Sequence, residues 1–255
     1  MQLHQYERGL QGRVAIVTGA AIGNGRAFCE RLVQEGASIV LADIADASET
    51  LAVLEQAGGE VLNLHVDVTN PDHVQMMVEQ TLERFGRIDI LVHNVGVYEE
   101  EPFELISLEQ WKRMMDVNLT GLFLTVKAVL PAMKERGFGR IIALSSDTVW
   151  LGTPYLVHYV TTKMGVIGFV RSLASEVGKY GITANAITVG LTAIQRVGTG
   201  NRVSSSILEH ILPAQTVQRS DEPEDIANVV AFLALPASGI INGQTLNVDG
   251  GVARH

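Results

Sequence analysis

Tyr159 and Lys163 stand four residues apart in the stretch SSDTVWLGTPYLVHYVTTK, a spacing that puts both side chains on one face of a predicted helix. A tyrosine with its ordinary pKa of about 10 neither gives up nor takes back a proton readily at neutral pH. An ammonium group beside it favours the phenolate and lowers that value, which turns the phenol into a usable acid and base. A hydroxyl such as Ser146 can then hold a substrate oxygen while Tyr159 exchanges the proton. A plainer use is open to the same residues, with Tyr159 and Lys163 as half-exposed helix residues and Ser145 and Ser146 as a polar strand end.

A second group of residues asks for a partner to that chemistry. In TGAAIGNG, Gly19, Gly23 and Gly25 follow the apolar run VAIV. A strand that ends in glycines and enters a helix presents main-chain N–H groups at the positive end of the helix dipole, a site for pyrophosphate. Glycine turns also join strands to helices for packing alone, and the spacing differs from G-x-G-x-x-G. Asp43, at the end of the second predicted strand, lies near the roughly 20-residue separation at which an acid meets the adenosine ribose hydroxyls of a dinucleotide. A carboxylate there repels the extra phosphate of NADP, and Ala20, Ala21 and Ile44 offer no cation, so NAD is expected. Asp43 could equally be a turn or helix-cap aspartate before ADASET. Asp67, closing the third strand, could accept from the adenine amino group or serve the turn that Asn70 and Pro71 announce. With nicotinamide in place, hydride moves at its C4 as the proton moves at Tyr159.

The elements that must position these groups are legible as short β-branched runs separated by longer amphipathic stretches. VAIVTG, SIVLAD, EVLNLHVD, IDILVHN, GRIIALSS and GITANAI read as strands; RAFCERLVQEG and PDHVQMMVEQTLERFG read as helices. Near-continuously apolar strands alternating with helices predict an α/β, single-domain Rossmann fold over residues 1–255: a doubly wound parallel sheet with helices on both faces and ligands beyond the strands' carboxyl ends. The segment of about 191–218 is irregular, with a short amphipathic helix in ILEHILPAQ, and reads as a substrate lid.

A net charge of -9 and a pI near 5.2 disfavour nucleic acid and anionic membranes as partners and favour small molecules. The amino terminus has no apolar signal core, and no uncharged apolar run of about 18 residues exists to cross a bilayer. With the single Cys29, expected in the core, this points to a cytoplasmic protein. No metal site is expected.

TGAAIGNG, the HNVG of 93–96, Asn118 in MDVNLTG, Ser146, the YVTTK of 159–163 and the closing GQTLNVDGG resemble the short-chain dehydrogenase/reductase family over nearly the whole chain. The resemblance implies that Ser146 orients the substrate carbonyl, Tyr159 is the acid and base, Lys163 lowers its pKa and binds the nicotinamide ribose, and Asn118 holds a water-linked relay to Lys163. It places Gly19, Gly23, Asn24 and Gly25 at the pyrophosphate, Asp43 at the ribose, Asp67 and Val68 near adenine, and Asn94 and Gly96 beside the cofactor at the fourth strand. Thr192 would touch the nicotinamide carboxamide. Three positions depart from the family pattern: Asn24 for an aliphatic residue, Val95 for alanine and Val189 for proline.

Within the family, WLGTPYLVHYVTTK, GVYEEEPFE and VARH are similar to NAD-dependent dehydrogenases of aromatic secondary alcohols, of the 1-phenylethanol type, or of pyridoxal. Val95, Tyr98, Trp150, Tyr155, Leu208 and Leu212 form an apolar pocket set suited to a small hydrophobic ketone, although Trp150 and Leu212 could merely pack the fold. The rival enzyme is a 3-oxoacyl-carrier-protein reductase; a rival of another class is a non-catalytic dinucleotide sensor. The stretches LTGLFLTVKAVLPAM and TTKMGVIGFVRSLASEVG carry more apolar surface than one narrow stripe, and the resemblance implies a homotetramer built on them, with VARH reaching a neighbour's site.

Overall fold

The computed structural model describes residues 9–192 and 212–254. Seven strands form one sheet: β1 (Val14–Thr18), β2 (Ser38–Asp43), β3 (Val61–His65), β4 (Ile90–His93), β5 (Gly139–Ser146), β6 (Ile182–Val189) and β7 (Thr245–Val248). Their order is β3-β2-β1-β4-β5-β6-β7, and every pairing is parallel. Six of the strands coincide with the apolar runs read from the sequence. The seventh, TLNV, is short and only half-buried, so its composition does not announce a strand.

Parallel strands need long crossovers, and helices supply them. They are α1 (Gly23–Gln34), α2 (Ser48–Gln56), α3 (Pro71–Phe85), α4 (Leu108–Met115), α5 (Gly121–Arg136), the single turn α6 (Thr148–Leu151), α7 (Val157–Val177) and α8 (Pro223–Ala234). Successive strand residues point to opposite faces, so β1 divides between two cores. Val14 and Ile16 pack with Met77, Leu122, Val126 and Val170 from α3, α5 and α7. Ala15 and Val17 pack with Phe28, Leu32, Ile226 and Val230 from α1 and α8.

Local sequence sets the helix ends. Asn70 caps α3 by accepting from the Asp72 and His73 N–H groups, Pro71 occupies its first turn, and Gly86 closes it at φ +70°. Ser107 and Gln110 form a reciprocal capping box on α4. The continuous stretch Leu108–Arg136, which joins α4 to α5 through a π-helical turn at Asp116–Thr120, is long and apolar enough by composition to cross a membrane. Its apolar residues Leu122, Val126, Val129 and Met133 instead belong to the core.

Strand order reverses at β1, whose neighbours β2 and β4 lead in opposite directions, and this opens a crevice at the carboxyl ends of β1 and β4. The opposite end of the sheet is tied by Asp89. It is fully buried and accepts from the Val14 N–H at 2.9 Å, from Arg13 at 3.1 Å and from both forks of Arg87 at 2.7 Å. Its main chain pairs with Val14 on one side and Arg140 on the other. Asp89→Ala therefore strips the start of β1 and the Arg13 and Arg87 side chains of a shared acceptor. A loss of about 3 kcal/mol is expected, read as a lower urea midpoint at unchanged slope; an unaltered midpoint would remove Asp89 from this role.

Candidate active site

The carboxyl ends of β4 and β5 and the first turns of α7 bring the predicted proton-transfer residues together. Ser146 is the last residue of β5, buried, and its hydroxyl is a hydrogen-bond partner of the Tyr159 phenol. Lys163, one turn further along α7, is 5% exposed. Its Nζ donates to the Leu144 carbonyl at 2.9 Å and lies 5.7 Å from the centre of the Tyr159 ring. Tyr98 meets the same ring edge to face, at 5.1 Å between centroids.

Burial sets the proton affinities. It lowers the Lys163 ammonium to about 8. It pushes the Tyr159 phenol up to about 12, with the Asp147 charge adding to the rise and the Ser146 hydrogen bond opposing it. The sequence argument has the lysine lowering the tyrosine. In the structure burial is the largest influence on the phenol, and it raises it.

Asn118 lies in the π-helical turn, where the extra residue aims its amide inward. Its Oδ1 accepts from the Val97 N–H at 2.7 Å, and its Nδ2 donates to the Val97 carbonyl at 3.0 Å and the Thr162 hydroxyl at 3.1 Å. Gly96 explains how close Asn118 and Lys163 come. A Cβ there would stand 3.2 Å from Lys163 Nζ and 3.4 Å from Asn118 Oδ1, so a side chain would fill the space between them.

The glycine turn forms a cradle at the crevice. Gly19 (φ +66°) and Gly23 (φ +58°) adopt left-handed backbone that glycine takes without strain. A Cβ on Gly25 would collide with the Gly19 carbonyl oxygen, so this glycine lets α1 pack on the turn. No side chain caps the amino end of α1 and no acid stands in its first turn. The Asn24 Oδ1 is buried without a hydrogen-bond partner. Uncapped N–H groups and a backbone stripped of Cβ atoms fit a pyrophosphate. The Asn94 amide braces the turn by donating to the Gly19 carbonyl at 2.9 Å, and Thr18 Oγ1 accepts from the Asn94 and Val95 N–H groups.

Asp43 accepts from the Ala21 N–H through one oxygen and from the Ala45 N–H through the other, each at 2.9 Å. It thus ties β2 to the glycine turn, and the turn use left open by the sequence is present. Asp67 is held below the usual carboxylate range by the Thr69 hydroxyl and N–H. Val68 is buried against Gly121, where a Cβ would press on it. Thr192 is buried, its hydroxyl directed at the Gly190 carbonyl at 3.4 Å. The Val189 carbonyl, at the departure from proline, accepts from the Asp147 N–H.

The pocket set divides. Val95 adjoins Gly19, and Tyr98 adjoins Tyr159. Trp150 packs on the core and donates to Thr188 at 3.4 Å. Tyr155 is exposed and strained at φ +63°. Leu208 and most of the expected lid lie outside the described residues; Leu212 opens a 3-10 turn, Leu212–Ala214. Two groups escaped the sequence argument. His93 is buried, meets the Thr18 and Thr125 hydroxyls through Nδ1, and is lowered to about 3 by burial and by Lys163, so it is neutral. Asp147, directly after Ser146, is a buried carboxylate visible as a charge at the end of an apolar strand.

Comparison with known proteins agrees with this geometry. A family model described as enoyl-(acyl carrier protein) reductase matches residues 19–253. The chain is 37% identical over 247 residues to a 3-oxoacyl-acyl-carrier-protein reductase of Synechocystis sp., covering 95% of this chain and 98% of that one. It is 38% identical over 246 residues to a hydroxy(phenyl)methylsuccinyl-CoA dehydrogenase subunit of Thauera aromatica, covering 95% and 97%. Among solved structures it superposes on a Serratia marcescens short-chain dehydrogenase/reductase with a TM-score of 0.90 at 30% identity, covering 96% of this chain and all of that one. It superposes on levodione reductase with a TM-score of 0.87 at 31% identity, covering 95% and 98%. A doubly wound parallel sheet, a glycine cradle at its switch point and matches along nearly the whole chain lead to one conclusion: the protein is an oxidoreductase of the short-chain dehydrogenase/reductase family, whose members bind a nicotinamide dinucleotide.

Proposed function

We propose that this chain interconverts a secondary alcohol and a ketone with NAD(H), using Tyr159 as the proton donor and acceptor. The observation that carries the reading is the meeting of Ser146, Tyr159 and Lys163 at the end of β5, with the serine hydroxyl on the phenol and the buried ammonium beside its ring. A bound nicotinamide dinucleotide would supply the hydride acceptor for oxidation or the hydride donor for reduction. Ser146 orients the substrate oxygen, and Tyr159 takes its proton during oxidation or returns it during reduction. Lys163 holds a positive charge beside the phenol and, with Asn118, brackets the space over Gly96 through which a proton can pass to solvent. Gly19, Gly23, Asn24 and the uncapped start of α1 hold the pyrophosphate, Asp43 the adenosine ribose, Asp67 and Val68 the adenine, and Asn94, Gly96 and Thr192 the nicotinamide side.

Val95, Tyr98 and the edge-to-face pair of Tyr98 with Tyr159 favour a small hydrophobic or aromatic substrate. Two relatives support a carbonyl or alcohol substrate: one is a dehydrogenase of a hydroxy(phenyl)methyl acyl thioester and one a levodione reductase. The similarity to 3-oxoacyl-acyl-carrier-protein reductases favours a second reading, reduction of a 3-oxoacyl thioester. Asp43 and the net charge of -9 weigh against it, since that activity commonly uses NADPH and a basic docking surface. Rates with aryl ketones, diketones, acyl thioesters and pyridoxal, each with NADH and NADPH, separate the two. We place the enzyme in the cytoplasm as a homotetramer built on α5 and α7, where Phe123 and Met164 are exposed; a monomeric mass in solution would exclude that assembly.

Tyr159→Phe removes the proton-transfer group and leaves the ring. The turnover number is expected to fall by about 100-fold or more, with NADH binding retained. An undiminished rate would contradict the mechanism. Asp43→Ala removes the negative charge facing the ribose, so the ratio of kcat/KM with NADH to that with NADPH is expected to fall by about 10-fold or more, the equivalent of about 1.4 kcal/mol; an unchanged ratio would take Asp43 out of cofactor selection.

A further inference from the structure

Behind Ser146 lie three buried carboxylates, two of them beside Gly190. Asp147 follows β5, Asp249 follows β7, and Asp221 precedes α8; each is more than nine-tenths buried. The Asp147 N–H donates to the Val189 carbonyl at 3.1 Å, and the Gly190 N–H donates to Val248 at 2.9 Å. A Cβ on Gly190 would stand 2.5 Å from Asp221 Oδ2 and 2.9 Å from Asp249 Cα, so glycine lets Asp221 and Asp249 come this close. Asp249 is served by main-chain donors, Gly251 N–H at 2.9 Å and Ala253 N–H at 2.6 Å. Asp221 Oδ1 accepts from Gln215 Nε2 at 3.1 Å, but its Oδ2 is buried with no hydrogen-bond partner. Among the described residues, the cation whose charge reaches this group is Arg219, which is exposed and forked onto Asp225 at 2.6 and 2.7 Å. Lys163 is turned to Leu144. Buried carboxylates with no buried neutralising cation among the described residues cannot all ionise cheaply, and retaining a proton relieves them.

The arrangement matters because of what Ser146 has left to give. Its oxygen accepts from the Thr148 hydroxyl at 2.9 Å and from the Thr148 N–H at 3.3 Å, which engages both lone pairs. One hydrogen remains, and Asp147 Oδ1 at 3.3 Å competes for it with the Tyr159 phenol. We propose that the buried pair Asp147 and Asp221, beside the Asp249 charge, carries a proton, and that Asp147 is a positioning residue which claims the Ser146 hydrogen as a carboxylate and releases it to the substrate oxygen as a carboxylic acid. Burial, followed by the Asp249 charge, pushes both Asp147 and Asp221 up to about 6, so the exchange falls within the neutral range. The Asp147 carboxylate also raises Tyr159, so both effects of ionisation act against donation to a carbonyl. The second half of the inference rests on the assignment of Ser146 to substrate binding; the first half does not.

The test has two arms. Infrared difference spectra of the parent, titrated through about pH 6, read the C=O stretch of a protonated carboxylic acid without any turnover. The expected result is a band that fades as pH rises and that disappears or moves in Asp147→Asn or Asp221→Asn. No band titrating in that range, or one unaltered in both variants, overturns the retained proton whatever the enzyme's substrate. The second arm is kcat/KM for ketone reduction against pH. The parent should lose efficiency as pH rises through the same window, and Asp147→Asn, whose amide can donate to Ser146 but never ionises, should flatten that limb. Superimposable profiles would overturn the positioning role while leaving the Tyr159 mechanism standing.

Discussion

A buried ammonium held by a main-chain carbonyl is the constraint around which this site is arranged. Lys163 reaches from α7 to the end of β5 and donates to Leu144, and burial lowers its proton affinity. A cation so placed is costly unless something nearby uses its charge. The neighbours are the Tyr159 ring at 5.7 Å, the Asn118 amide across Gly96, and His93, which burial and then the same charge keep neutral. The lysine also stitches helix to sheet, so the placement of Tyr159 follows from the packing of α7 on β5 and β6.

The sheet supplies the direction. All seven strands run parallel, so their carboxyl ends share one edge, and groups distant in sequence converge there. The glycine turn after β1 meets Asn94 after β4 through one amide hydrogen bond, and Asp43 after β2 reaches the same turn. Asp43 is therefore structural and available to a ligand at once, because an ionised carboxylate has acceptor capacity beyond the two N–H groups it serves. At the far end of this edge, the same parallel geometry collects Asp147, Asp221 and Asp249, where like charges meet.

The sequence carried the strands with two buried faces, because a parallel strand covered on both sides must be almost uniformly apolar. TLNV at β7 did not satisfy that rule, being half-buried and carrying Thr245 and Asn247, and only its likeness to a family ending marked it. The pairing of Tyr159 with Lys163 was legible from helical spacing alone. Its electrostatics were not, since burial depends on packing that spacing cannot report. The carboxylate cluster was invisible for another reason: Asp147, Asp221 and Asp249 belong to separate elements, and topology alone joins them. Asn118 was legible as a motif, whereas the π-helical turn that aims its amide depends on how α4 continues into α5.

The central claim is that a positively charged nicotinamide would offset the burial that raises Tyr159 and so make the phenol an effective base for alcohol oxidation. Ultraviolet titration of tyrosinate, compared between the parent and Tyr159→Phe with oxidised cofactor and without it, measures this directly. The account predicts that oxidised cofactor brings one phenol, absent from the variant, from about 12 into the range below its ordinary value of about 10. A Tyr159 signal that stays at its elevated position with the cofactor bound would contradict it.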